Sequence, residues 1–225
     1  MAAGQPILVV GASGSIGSSL VHQLTNAGHD VWGTASNPAS LAAIPASAAR
    51  TFSCNLSDES SIESLVTSIT GATPALGGII HAAGLAAFGS TTELPATALA
   101  KLMAVNFSGP ARLTAALTPL LRAAEGGFIV SLSGKISELP TAGMAGYSAS
   151  KAALYAYATA AGRELRRDGL RWLDARPGHT DTGFANRAIF GTAPAFGAGL
   201  TADAVAARII RGIEAGERDL PSTEF

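Results

Sequence analysis

Tyr147 and Lys151 stand four residues apart in the run Gly146-Tyr147-Ser148-Ala149-Ser150-Lys151. On a helix that spacing places a phenol and an ammonium on one face, a turn apart. A cation beside a phenol favours the phenolate and draws the tyrosine pKa down towards neutrality. A tyrosine so placed gives or takes a proton near pH 7, which is general acid/base chemistry. A core ring beside a surface amine would show the same spacing, so the pair gains meaning only from its surroundings.

The first of these is Gly11-Ala12-Ser13-Gly14-Ser15-Ile16-Gly17. A fully apolar run over 7–10 precedes it, and Ile16, Leu20 and Leu24 follow at helical spacing. Between a strand and a helix, such glycines let the turn close and let backbone approach a pyrophosphate. The helix N-terminus adds free N–H groups and a positive dipole end. NAD enzymes usually carry a carboxylate at the end of the second strand, to hold the ribose 2′-hydroxyl. Here that place reads Gly33-Thr34-Ala35-Ser36-Asn37, with no acid to repel a 2′-phosphate and with Ser36 and Asn37 able to hydrogen-bond one. NADP(H) is therefore expected over NAD(H), although no Arg or Lys stands there.

The elements that must carry these residues alternate from end to end. Strands are predicted over 7–10, 29–34, 50–55, 78–83, 128–132 and 170–175. Helices are predicted over 15–27 with Gly28 at the C-cap, 38–44, 57–69 with Ser57 as N-cap, 95–124 with a bend at Gly109-Pro110, 146–167 and 201–215. Alternation of this kind predicts an α/β protein: a single doubly wound Rossmann-type domain with a parallel sheet, spanning 1–225. The irregular stretch 183–200, rich in Gly, Ala and Phe, is expected to be a substrate-binding lid.

Composition bounds the function classes. Of 225 residues, 48% are apolar and 14% charged, as in a well-buried globular chain. A formal net charge of −1 gives no basic field for nucleic acid or an anionic membrane. Cys54 is the only cysteine, which excludes an internal disulfide or a cysteine-based zinc cluster. The four histidines show no ligand spacing, so no metal is expected. Residues 1–6 read as the lead into a first strand rather than a signal peptide, and no apolar segment is long enough to span a bilayer. A cytoplasmic protein with a reduced thiol is the expectation.

With these residues in place, the chain resembles the short-chain dehydrogenases/reductases over essentially its whole length. The resemblance rests on the glycine turn at 11–17, on His81-Ala82-Ala83-Gly84, on Asn106, on a serine ahead of Tyr147-x-x-x-Lys151, and on Pro177-Gly178 followed by Thr182. It implies that Tyr147 is the general acid/base, and that Lys151 lowers its pKa and holds the nicotinamide ribose. It implies that Ser133 orients the substrate oxygen and that Asn106 anchors a water leading from Lys151 to solvent. Ala83 and Gly84 would run along the cofactor, Thr180 and Thr182 would grip the carboxamide, and Asn55-Leu56 would lie at the adenine.

Three departures stand out. The glycine turn has Gly14 and Ser15 in the order of the extended subgroup, yet the stretch after Gly178 is too short for a substrate domain. A classical member with a shifted glycine is the reading. Ser133 lies 14 residues before Tyr147, one more than the commonest spacing, whose position is Gly134; Ser131 and Ser137 are the alternatives. The last strand would have to come from 219–225 or be incomplete.

The expected activity is interconversion of a secondary alcohol and a carbonyl compound. Rival readings are a non-catalytic dinucleotide-binding sensor or scaffold, and an epimerase or dehydratase on the same fold. Leu85, Phe88, Leu139, Met144, Phe184 and Phe190 suggest an aliphatic, alicyclic or aromatic substrate. Glu138 and Arg187 read as solvated charges. His179 reads as a surface or backbone-bonded residue, with substrate contact as the sharper alternative. Ala- and Leu-rich faces over 95–124 and 146–167 suggest a homodimer or homotetramer.

Overall fold

Strand β1 (Ile7–Val10) is Ile-Leu-Val-Val, and all four residues are buried, as suits a strand covered on both faces. Its side chains alternate between two cores. Ile7 and Val9 pack with Leu20 and Leu24 of α1 (Ser15–Asn26) and with Val205, Ile209 and Ile213 of α7 (Ala202–Ala215). Leu8 and Val10 pack with Ile62 and Leu65 of α3 (Glu59–Ala72), Leu113 and Leu117 of α5 (Gly109–Arg122), and Ala158 of α6 (Ala145–Leu165). These contacts come from a computed structural model, which describes residues 4–225. The reading of the first residues as a lead into β1 therefore falls partly on 1–3, outside the described residues.

The remaining elements are β2 (Val31–Ala35), α2 (Pro38–Ala42), β3 (Arg50–Ser53), β4 (Gly78–His81), α4 (Ala96–Met103), β5 (Phe128–Leu132), β6 (Arg171–Ala175) and β7 (Asp219–Leu220). They form one seven-stranded sheet in the order β3-β2-β1-β4-β5-β6-β7, with every pair parallel. Strand order reverses between β1 and β4, and ligand crevices of doubly wound sheets open at that point. The last strand does form, as two residues beside β6.

Several boundaries differ from the sequence reading, three of them for a visible physical reason. β2 starts at Val31 because Gly28 turns at φ +86° and His29 N–H closes back on the Leu24 carbonyl. The cap of α3 is Asp58, whose carboxylate accepts Ser60 N–H at 3.0 Å, an anion at the positive helix end. Ser57 is turned the other way, its hydroxyl donating to Asn55 Oδ1 at 2.7 Å. Between α4 and α5 there is no break but one π-helical turn, Ala104–Ser108. Pro110 has no N–H to give to the Asn106 carbonyl four residues back, so the irregularity falls just before Gly109-Pro110 and upon Asn106.

No helix among the described residues is long and apolar enough to cross a membrane, and no group of three or more His, Cys, Asp or Glu could hold a metal ion.

Candidate active site

A cleft of about 1040 Å³ lies at the carboxyl ends of β1, β4, β5 and β6. On the β1 side, Gly11 adopts φ +86°, and a Cβ there would stand 2.6 Å from Ala83 N. A Cβ on Gly17 would stand 2.2 Å from the Gly11 carbonyl oxygen, whereas one on Gly14 would meet nothing closer than 3.4 Å. Gly11 and Gly17 are thus demanded by the turn itself, and Gly14 is left open towards the cleft. Gly14 caps α1 without a side-chain bond, and the first turn holds no acid. The positive helix end stays uncompensated, with N–H groups available to an anion. Ser15 and Ile16 line the cleft beside Gly14; Ser13 lies in the turn behind them. These features fit a dinucleotide pyrophosphate.

Further along the same edge the outcome is mixed. Ser36 and Asn37 are exposed at the end of β2. Asn37 Oδ1 caps α2 by accepting Ser40 N–H at 2.9 Å, and its amide donates to Ser36 Oγ at 3.4 Å. Asn55 Oδ1, the acceptor expected at the adenine, is taken by Ser57 N–H and hydroxyl. Leu56 is buried in the core.

Ala83 and Gly84 line the cleft after β4. A Cβ on Gly84 would lie 3.4 Å from Asn106 Oδ1 and 3.5 Å from Lys151 Nζ, so these residues share one corner. Asn106 is buried and fully engaged. Its Oδ1 accepts Leu85 N–H at 2.8 Å, and its amide donates to the Leu85 carbonyl and to Ser150 Oγ, each at 2.9 Å. His81 of the same motif is buried and held neutral, its pKa pushed down to about 3 by burial, with Nε2 on Thr114 Oγ1.

Tyr147 and Lys151 both line the cleft from one face of α6. The expected lowering of the tyrosine pKa is not what the structure shows. Burial pushes the Tyr147 phenol up to about 12 and the Lys151 ammonium down to about 8. The reason lies in where the ammonium points: Lys151 Nζ donates to the Leu132 carbonyl at 2.6 Å, at the end of β5, and not to Tyr147.

Ser133 also departs from expectation. It is fully buried, and its hydroxyl donates to Asp174 Oδ2 at 2.5 Å while accepting from Ser137 Oγ at 3.2 Å. Ser131 donates to the other oxygen of Asp174, at 2.5 Å. Both serines are thus turned to a buried carboxylate, and Gly134, at the usual serine position, has no side chain to offer.

Pro177, Gly178, Thr180 and Thr182 form the opposite wall. Ser15 Oγ donates to the Thr182 carbonyl at 3.2 Å, joining the glycine turn to this wall. Segment 183–200 crosses above. Its backbone is fastened to 86–88 by Ile189 N–H to Ala86 O and Phe88 N–H to Phe190 O, and at its end by Asp181 N–H to Leu200 O. Phe88, Leu139, Met144 and Phe184 line the cleft; Leu85 and Phe190 do not. His179 stacks on Phe196 at 4.5 Å and pairs with Asp181 at 3.1 Å. Arg187 and Lys135 are the cations at the rim. Glu138 is not free but pairs with buried Arg176.

Sequence reasoning passed over Asp174, Arg176, Lys135 and Phe196. Asp174 and Arg176 did carry a signal: two charges at alternating positions at the end of a buried strand, just before Pro177.

The fold and this cleft define a dinucleotide-binding α/β enzyme. The sequence profile described as short chain dehydrogenase matches residues 5–189, and the chain belongs to that family of NAD(P)-dependent oxidoreductases. It is 26% identical to a dehydrogenase/reductase SDR family protein 7-like of Anopheles gambiae, over 96% of this chain and 74% of that one. A short-chain dehydrogenase of Streptomyces avermitilis superposes with a TM-score of 0.85 at 27% identity, covering 96% of this chain and 88% of that chain. A short-chain dehydrogenase of Sphingobium yanoikuyae, solved with NADPH, superposes with a TM-score of 0.87 at 23% identity, covering 96% and 87%.

Proposed function

We propose that the protein interconverts a secondary alcohol and a ketone or other carbonyl compound with a nicotinamide dinucleotide, Tyr147 acting as general acid/base. The observation that carries this reading is that Tyr147 and Lys151 face one cleft whose far end is an uncapped helix N-terminus at Gly14. A bound nicotinamide dinucleotide supplies or accepts the hydride.

The residues supply position and charge. Gly14, Ser15 and Ile16 offer backbone N–H groups to the pyrophosphate, with Gly11, Ser13 and Gly17 shaping the turn. Ala83, Gly84, Pro177, Gly178, Thr180 and Thr182 flank the nicotinamide end, and Asn55 and Leu56 the adenine end. Ser36 and Asn37 hold a ribose 2′-phosphate, so NADP(H) is preferred; the NADPH complex of the Sphingobium enzyme supports the class of cofactor. Tyr147 holds its proton at neutral pH, poised to give it to the carbonyl oxygen as charge grows there. Lys151 stands one turn behind as the cation that stabilises the phenolate left by that transfer. Asn106 connects Lys151 towards solvent through its backbone carbonyl. Ser133 helps the substrate oxygen only by leaving Asp174. Segment 183–200 acts as the lid, and its phenylalanines favour an apolar substrate.

Kinetics with a carbonyl and alcohol panel, run with NADPH and NADH, test the reading. Turnover on ketones with tighter binding of NADPH is expected. Binding without turnover on any member would favour a sensor or scaffold and overturn it.

A further inference from the structure

Tyr147, Lys151 and Tyr155 repeat every fourth residue along α6, so they share a face. The ends of β5 and β6 run beneath it. Asp174 and Arg176 are two residues apart on β6 and its extension, and so point to the same side. The Arg176 guanidinium lies 4.5 Å over the Tyr155 ring, which fixes that side as the one under α6. Asp174, 4% exposed, sits a strand step earlier on that side, with Ser131 of β5 opposite it. It accepts hydrogen bonds from Ser131 and Ser133, each at 2.5 Å, and from Arg176 Nη1 at 3.2 Å. The residue between those serines is Leu132, whose carbonyl takes the Lys151 ammonium at 2.6 Å. One buried carboxylate therefore holds both neighbours of the lysine's acceptor.

The charges around it are few. Arg176 is also bound by Asp219, at 2.7 and 2.8 Å, and by Glu138. Tyr147 is neutral. Asp174 shares Arg176 with those two carboxylates; burial raises its pKa while Ser131, Ser133 and Arg176 oppose that rise, and it is the carboxylate whose charge acts on Lys151.

We propose that Asp174 is a positioning residue of this active site: it fixes the end of β5 through Ser131 and Ser133, and supplies the buried negative charge that keeps Lys151 an ammonium. The functional meaning rests on the proposed role of Lys151; the charge coupling does not. Burial draws Lys151 down to about 8, and Asp174 opposes that fall. Without Asp174 the burial acts unopposed, and Lys151 loses its proton at lower pH.

The test needs no substrate. The chain has three lysines, Lys101, Lys135 and Lys151, so NMR titration of labelled lysine side chains resolves each, with Lys151→Met for assignment. In wild type a midpoint near pH 8 is expected, and in Asp174→Asn a midpoint lower by about one pH unit or more. Ser133→Ala keeps the carboxylate and should leave the midpoint in place. Where turnover is measurable, the alkaline limb of kcat/KM should move down with the midpoint in Asp174→Asn alone. An unmoved midpoint in folded Asp174→Asn, or an activity loss uniform across pH, overturns the proposal. If Asp174→Asn does not fold, Arg176→Met decides: it removes the competing cation, so the Lys151 midpoint should rise, and a fall or no change overturns the proposal. Absence of turnover on any carbonyl would contradict the proposed function while leaving the midpoints to judge Asp174.

Discussion

Lys151 is a charged side chain that is 6% exposed, with its acceptor a strand-end carbonyl. Its folded pKa of about 8 lies below the ordinary 10.5. From pH 8 to 10.5 the unfolded chain binds more protons, so stability rises with pH across that window and is least below it. The gap amounts to roughly 3 kcal/mol against the folded state at neutral pH. Lys151→Met should therefore stabilise the protein, by about 1–2 kcal/mol once the orphaned Leu132 carbonyl is counted. The same change should abolish turnover. Urea unfolding at pH 7 and pH 9 checks this: the variant should lose the rise in stability seen in wild type, and a destabilised variant would contradict it. The Tyr-x-x-x-Lys spacing was legible in the sequence; the direction of the ammonium was not. It depends on Leu132, 19 residues away. The partner of Ser133 is hidden in the same way, since Asp174 reaches it only because β5 and β6 pair with Ser131 opposite Asp174.

At the scale of elements, the glycine turn separates two roles that sequence alone merges. A methyl group on Gly17 would run into the Gly11 carbonyl, whereas one on Gly14 would meet it only at an ordinary contact distance of 3.4 Å. Gly17→Ala should cost about 1–3 kcal/mol of stability through backbone overpacking. Gly14→Ala should leave stability within about 0.5 kcal/mol yet weaken NADPH binding by roughly tenfold, since backbone there approaches the pyrophosphate. Thermal melts with calorimetric titration distinguish them, and equal stability losses would contradict the division. Helix and strand alternation was readable because buried parallel strands are short and apolar. The π-helical turn at Ala104–Ser108 was not, although its cause, Pro110, was in view: periodicity marks a proline as a bend without saying which turn absorbs the missing bond.

For the whole molecule, a parallel sheet of six strands followed from the alternation; the two-residue seventh strand and the course of segment 183–200 along the cleft did not. Segment 183–200 is held by backbone bonds between 86–88 and 189–190, which carry no side-chain signature. Leu99 is an exposed large apolar residue on α4, the region expected to pair about a two-fold axis. Light scattering should give a dimer or tetramer mass, and Leu99→Glu should lower it; a monomeric wild type would refute the expectation.

In the proposed reaction Tyr147 moves the proton that accompanies hydride transfer in this cleft. The most direct test of this role is NADPH oxidation by wild type and Tyr147→Phe on one reducible ketone, with NADPH affinity measured alongside. The variant should bind NADPH within about threefold of wild type and turn over at least about a hundredfold more slowly. Turnover equal to wild type would contradict the account.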